Sequence, residues 1–250
     1  MRIKKAVALA VAVGLVTGVT KAGLGPAASP TVVYAGDSGA VTGVVLFPQA
    51  YPEQEKTPVT KDRRVCGAFQ YSEEFVVSEK NHGLKNVVVS LTNVTGGAGP
   101  PSKSVVQLAQ KKCRYVPHVQ AVQVGTTLEL LNDDGILHNV HAYYGGLGPQ
   151  NTIFNKAQPK FLKKIQQKLD KPGIYFFRCD VHAHMTAYIA VMEHPYYAVT
   201  DENGEFTISE VPPGRYKIQA WHEVLGTQEK EVTVQAGKAA SVRFEIWPNE

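Results

Sequence analysis

The chain has 250 residues, of which 44% are hydrophobic and 19% charged, so it is long enough for two domains. The formal net charge is +4, but residues 1–22 hold four basic side chains and no acidic one. The rest of the chain has 22 basic and 22 acidic residues, and this balance gives no support to nucleic-acid binding.

The first 22 residues have the pattern of a secretory signal peptide. Three basic residues precede an apolar run, 6–19, that is short for a membrane span, and small residues follow it. We expect cleavage after Ala22; cleavage after Ala35 and retention as an uncleaved anchor are the alternatives. No later stretch is apolar enough to span a membrane. We therefore expect a periplasmic or secreted protein.

The segment that follows divides into a linker and an N-terminal β segment. Residues 23–40 are rich in Gly, Ala, Ser and Pro, which is typical of a flexible linker. Within 41–100, the apolar and β-branched runs 41–47 and 84–91 predict two strands. The Gly- and Pro-rich stretch 96–101 indicates a domain boundary.

Residues 101–195 predict a β-sandwich or barrel, because short apolar runs alternate with turn residues. The segment 160–169 is ambiguous, since its apolar spacing fits a helix stripe as well as alternate positions of a strand. We favour an edge strand, whose lysines would discourage unwanted pairing. The strand candidates here are 105–108, 118–124, 127–131, 137–142 and 174–177.

Residues 196–250 alternate apolar and polar side chains over several short runs. Asn203-Gly204 predicts a tight hairpin turn between two of them, and Pro213-Gly214 fits a type II turn. The predicted fold class of the whole chain is therefore all-β.

One loop and one distant strand carry the residues with metal chemistry. Cys179, His182 and Met185 stand three residues apart after an apolar strand, and His138 can supply a second imidazole from another strand. A His₂Cys set with a weak axial Met is the ligand set of blue copper electron-transfer sites. His138 is preferred over His141, because residues three apart in a strand point to opposite faces.

Other residues near this set are expected to surround the metal ligands without binding the metal. Asn139 is expected to hydrogen-bond within the neighbouring loop, and His141 and His184 are assigned to the same surroundings. The alternative for the whole cluster is a zinc site, or a disulfide cysteine beside incidental histidines. An oxygen-reducing copper centre needs histidines on both sides of Cys179, and a dinuclear centre needs a second cysteine in the loop; both are absent. The sequence also has no haem-attachment motif. We therefore expect an electron carrier and no enzyme.

The three cysteines leave one unpaired in an oxidising compartment. If Cys179 is a metal thiolate, Cys66 and Cys113 can form a disulfide that stabilises the fold by roughly 4 kcal/mol. Both other pairings remain possible, and each would remove the thiolate from the metal site.

The motifs His138-Asn139-Val140-His141 and Cys179-x-x-His182-x-x-Met185 resemble the cupredoxins of the amicyanin and plastocyanin type over about residues 105–193. This resemblance implies a Greek-key β-sandwich that binds one type 1 copper. The chain departs from the family pattern at Leu137, where Pro is common, and at His184, where an apolar residue is expected.

The tail resembles a transthyretin-like, carboxypeptidase-regulatory-like β-sandwich in its motifs around 200–206 and 211–216. That family implies two preceding strands, and the runs 41–45 and 86–91 match them. We therefore expect a discontinuous sandwich, built from 41–100 and 196–250, around an inserted cupredoxin domain. The disulfide would then link the two parts.

Three function classes follow from these expectations. The first is single-electron transfer between redox proteins, such as a dehydrogenase and a c-type cytochrome, with His182 near the surface as the exit for the electron. The second is copper binding or carriage without redox turnover. The third is a surface-binding module with accessory copper.

Overall fold

The computed structural model describes residues 38–49, 53–94 and 103–247. The predicted signal peptide, both cleavage positions, most of the linker and the boundary at 96–101 lie outside these residues. The described chain contains one four-residue helix, α1 (Arg63–Cys66), and a 3₁₀ turn (Pro149–Asn151). Within it, no helix has the length and apolar character needed to cross a membrane.

Almost all other regular structure is β, as the sequence predicts. The strands are β1 (Gly39–Leu46), β2 (Lys56–Pro58), β3 (Phe69–Tyr71), β4 (Val88–Leu91), β5 (Val105–Gln110), β6 (Tyr115–Val116), β7 (Val119–Gln123), β8 (Thr126–Asn132), β9 (His138–Tyr144), β10 (Thr152–Gln158), β11 (Lys164–Leu169), β12 (Gly173–Arg178), β13 (Thr186–Met192), β14 (Tyr197–Val199), β15 (Glu205–Val211), β16 (Gly214–His222), β17 (Gly226–Val234) and β18 (Ala239–Glu245).

Strands β5 to β13 form one two-sheet unit, here called the central sandwich. Its sheets have the orders β10-β9-β12-β13-β7 and β11-β8-β5-β6. The apolar alternate positions of both sheets meet in one core, which includes Leu128, Leu130, Phe177 and Ile189. Strand β11 lies at a sheet edge, so residues 164–169 of the ambiguous segment form an edge strand, while residues 160–163 are a turn and irregular backbone, and no part of the segment is helical.

The second unit, here called the split sandwich, takes strands from both ends of the described chain. Its sheets have the orders β15-β1-β18 and β14-β4-β16-β17. Strand β1 pairs antiparallel with β15 and parallel with β18, and β4 lies between β14 and β16. The split sandwich has its own core, which includes Val45, Val89, Ile208 and Phe244. The predicted all-β fold with a discontinuous second sandwich is confirmed.

The two sandwiches contact each other through the outer faces of two sheets. Val88 of β4 packs in one buried cluster with Val119 of β7 and Ala190 of β13. Tyr188 and Trp221 add an edge-to-face contact, with ring centroids 5.6 Å apart. The side chains of Val87 and Val89 point to the opposite face, into the core of the split sandwich.

Candidate metal centre

The loop from Cys179 to Met185 joins β12 to β13 at one end of the central sandwich. Two backbone hydrogen bonds close it: the Met185 N–H donates to the His182 carbonyl at 2.9 Å, and the Cys179 N–H donates to the Met185 carbonyl at 3.2 Å. The loop thereby brings the side chains of Cys179 and His182 together, with Cys179 Sγ 3.9 Å from His182 Nδ1. Cys179, His182 and Met185 are all buried.

His138 reaches the same point from the neighbouring strand. It begins β9, and β9 pairs antiparallel with β12 such that His141 lies opposite Arg178. The start of β9 therefore lies beside the loop that follows β12. The His138 side chain is fully buried, and the Asn139 N–H donates to Cys179 Sγ at 3.4 Å.

Three potential ligand atoms converge. His138 Nδ1 and His182 Nδ1 are 3.1 Å apart, and they lie 4.0 Å and 3.9 Å from Cys179 Sγ. A point in the plane of these atoms lies roughly 2.1 Å from each of them, close to metal–nitrogen and metal–sulfur bonds of about 2.0–2.3 Å. The three residues therefore fit a metal ion, and the fully buried Met185 packs in the same core.

Each histidine donates a hydrogen bond to a carboxylate from the ring nitrogen that points away from this centre. His138 Nε2 donates to Asp134 Oδ2 at 2.9 Å, and His182 Nε2 donates to Asp62 Oδ2 at 3.0 Å. These bonds place a proton on Nε2 and direct the Nδ1 atom of each ring at the centre. Carboxylate–histidine pairs of this kind orient metal ligands and raise their basicity.

The electrostatics of the pocket favour the metal-binding form of the cysteine. Burial raises the pKa of Cys179, but hydrogen bonds from His138 and from the Asn139 N–H outweigh burial and lower it. Burial lowers the pKa of His138, but its bonds to Asp134 and Cys179 raise it to about 9. The pocket thus stabilises the Cys179 thiolate beside the positive charge of a protonated His138. A bound metal ion would supply this positive charge in place of the imidazole proton.

Asn139, His141 and His184 lie around the centre. The Asn139 side chain accepts from the Asp180 N–H at 2.6 Å and so ties β9 to the loop. His141 points away from the centre, where Nδ1 lies 3.0 Å from Asp180 Oδ2 and Nε2 lies 3.1 Å from Thr152 Oγ1. His184 is half-buried, with its ring centroid 6.0 Å from that of His182.

The predicted disulfide between Cys66 and Cys113 is present, and Cys179 is the remaining free cysteine. The bridge joins the segment between β1 and β4 to the central sandwich, and both sulfurs are buried in the central core. A ring nitrogen of His182 lies within 4.8 Å of both sulfurs. The disulfide therefore packs directly against the metal centre.

One expectation is wrong. His182 is not near the surface, because only 1% of its side chain is exposed and Asp62 lies against it. Asp62 was not among the predicted site residues, because it lies 120 residues before His182 in a region without clear patterning. Asp134 stands four residues before His138, and this short spacing is the signal in the sequence that could have identified it.

The split sandwich matches a known family over part of its length. The model of the carboxypeptidase regulatory-like domain matches residues 182–246, which run from the candidate metal loop to the end of β18. No curated protein matches the chain.

Solved structures similar to this chain include variants of amicyanin. A copper(I) form of a methionine-to-alanine variant is 20% identical, covers 42% of this chain and 98% of its own chain, and has a TM-score of 0.32. An oxidized proline-to-glycine variant is 21% identical with the same coverage and a TM-score of 0.31. The chain is thus similar to amicyanin in one part and to the carboxypeptidase regulatory-like domain in another.

Proposed function

We propose that the chain carries single electrons between redox proteins, and that His138, Cys179, His182 and Met185 would hold one copper ion for this purpose. The observation that carries this proposal is the convergence of the two Nδ1 atoms and the thiolate sulfur at distances of 3.1–4.0 Å. Bound copper would supply one-electron exchange between Cu(II) and Cu(I).

For this function the protein would contribute a set of metal ligands that are fixed in position and shielded from water. Asp134 holds the His138 ring, and is itself held by the backbone N–H groups of Lys112 and Cys113. The buried core around Cys179 and Met185 excludes water. Fixed ligands reduce the rearrangement that accompanies a change of oxidation state, which favours rapid electron exchange.

The choice of copper over zinc depends on Met185. Thiolate and imidazole suit zinc as well as copper, but a thioether ligand selects copper(I). A copper carrier without redox turnover is the second candidate. Complete burial of the ligand atoms favours retention of the ion over its delivery, and therefore favours electron transfer.

Partners and location follow from the same proposal. The protein would work in the periplasm or outside the cell, where the disulfide is stable. It would exchange electrons with a dehydrogenase and a c-type cytochrome through a small, transient interface, without being an enzyme itself.

The visible spectrum of the copper-loaded protein tests the metal site. We expect an intense thiolate-to-copper band that disappears in Cys179→Ser and in His138→Ala. The matched control is His141→Ala, which removes an imidazole of the same strand that points away from the centre, and which should keep the band. A colourless protein that retains zinc, or loss of the band in His141→Ala alone, would contradict the assignment.

A further inference from the structure

We propose that residues 57–71, here called the cap segment, are a built-in cover of the metal centre, and that Asp62 in this segment positions His182 as a ligand. The inference rests on the proposed copper site. It concerns residues that come from outside the central sandwich, between the first two strands of the split sandwich.

The cap segment is anchored on the central sandwich. The side chains of Val59 and Cys66 are buried in the central core, and the disulfide fixes Cys66 to Cys113. Gln70 Nε2 donates to the Cys66 carbonyl at 2.6 Å and to the Lys112 carbonyl at 3.1 Å. A covalent bond, an apolar contact and polar contacts therefore hold this segment in place.

Asp62 is held in one conformation within the cap segment. Its carbonyl accepts from the Val65 N–H at 2.9 Å and from the Cys66 N–H at 3.0 Å, which starts helix α1. Its φ of 51° lies in the left-handed region, which few residues besides Gly, Asn and Asp adopt readily. This backbone directs the carboxylate at His182, although 42% of the Asp62 side chain remains exposed.

The contact acts on the metal ligand itself. The bond from His182 Nε2 to Asp62 opposes rotation of the imidazole and keeps the Nδ1 lone pair toward the centre. The carboxylate also places negative charge beside the ligand, which favours the more highly charged oxidation state of a bound metal. Asp62 is therefore a positioning residue that also influences the reduction potential.

The cover has a functional consequence. Because Asp62 of the cap segment lies against the His182 ring and only 1% of the His182 side chain is exposed, a partner cannot contact this imidazole directly. Electrons that pass through His182 would have to cross the cap segment. The same cover slows the escape of a bound metal.

Chemical labelling of histidines tests the cover without any metal. We expect His182 of the metal-free protein to react with diethyl pyrocarbonate much more slowly than the exposed His82, as measured by peptide mass spectrometry. Asp62→Ala and the double variant Cys66→Ser/Cys113→Ser should accelerate labelling of His182 and leave His82 unchanged. Equal labelling of His182 and His82 in the unaltered protein would overturn the proposal.

Copper binding and electrochemistry test the positioning role. Loss of a hydrogen-bond partner around a metal ligand typically weakens metal binding roughly 10–100-fold, so Asp62→Ala should lose copper to a chelator more readily by that factor. Asp62→Asn keeps the shape but removes the charge, and should make the reduction potential more positive with a smaller loss of affinity. The matched control is Val65→Ala, which shortens an exposed, uncharged side chain in the same segment.

The outcomes separate this proposal from the proposed function. If Asp62→Ala resembles Val65→Ala in copper affinity and in reduction potential, Asp62 does not position His182, and the proposal fails while the proposed copper site stands. If the unaltered protein binds no copper, the proposed function fails and the labelling of the metal-free protein still decides whether the cap segment covers His182.

Discussion

His138 and His182 use their two ring nitrogens in the same way. Each donates from Nε2 to a carboxylate and leaves Nδ1 for the centre, but the carboxylates differ in origin. Asp134 is local to His138 and its side chain is 5% exposed, whereas Asp62 arrives from a distant segment and is 42% exposed. The His138 half of the site is therefore the more rigid half.

Sequence reasoning could identify the residues that converge, because their types and spacing define the ligand set. It could also separate His138 from His141, because the two-residue period of a strand places them on opposite faces. It could not find Asp62, since a contact over 120 residues leaves no local pattern. The carboxylate that positions His182 is visible only once the chain is folded.

A second buried pair, His118 with Glu223, joins the two sandwiches and makes stability depend on pH. Burial lowers the pKa of His118, but the hydrogen bond and charge of Glu223 outweigh burial and raise the pKa above its ordinary value near 6.5. The folded protein then holds this proton more tightly than the unfolded chain. The stabilisation is complete below pH 6.5 and disappears as the pH rises through the raised pKa.

We therefore expect His118→Gln to reduce the free energy of unfolding by about 3 kcal/mol below pH 6.5, because it leaves Glu223 buried without a charged partner. The difference from the unaltered protein should shrink as the pH rises above the folded-state pKa. Urea unfolding between pH 6 and 9 measures it, with the exposed His82→Gln as control. A difference that stays constant over this range would exclude a titrating His118.

Strand β1 is the element on which the split sandwich depends. It lies between β15 and β18, and Gly43 faces Phe206 on one side and Val242 on the other. The apolar, β-branched run of β1 and the alternation of β15 and β18 made these strands predictable, and the family resemblance placed them in one sandwich without predicting which strands pair. Strand β10 was missed, because its outward positions carry mixed apolar and polar side chains that resemble a loop.

Gly43→Ala should destabilise the split sandwich. A Cβ at this position would overlap the Val242 carbonyl oxygen and lie 2.7 Å from Phe206 Cζ. Overpacking of this kind costs about 1–3 kcal/mol, and more where backbone has to shift. Urea unfolding should show the loss, while Val44→Ala, the next and partly exposed residue, should cost less. Equal stability of the two variants would show that β1 can move away from β18.

At the scale of the whole molecule, the two sandwiches are one unit joined in three ways. The chain passes between them, the cluster of Val88, Val119 and Ala190 packs them together, and the disulfide fixes the cap segment on the central sandwich. The candidate metal centre is contacted from both parts, since Asp62, which accepts a hydrogen bond from His182, lies in the connection between β1 and β4. The candidate metal centre and the split sandwich should therefore not separate from each other as independently folded parts.

Limited proteolysis tests whether the two sandwiches stay together. We expect a chain cut between residues 94 and 103, or near residue 195, to elute as a single species on size exclusion under non-reducing conditions. The fragments should separate only after denaturation, and those joined by the disulfide only after reduction as well. Release of a stable, folded fragment corresponding to 38–94 or 196–247 from the native protein would contradict the split sandwich.

The parallel pairing of β1 with β18 also sets an order of events during folding. These strands are about 200 residues apart in sequence, and contacts of such separation form slowly because a long loop has to close first. The central sandwich is contiguous in sequence and can assemble before β18 has left the ribosome. Until then β1 has no strand to pair with, and its side chains Val41 and Val45 are exposed. We therefore expect a chaperone to bind β1 during synthesis.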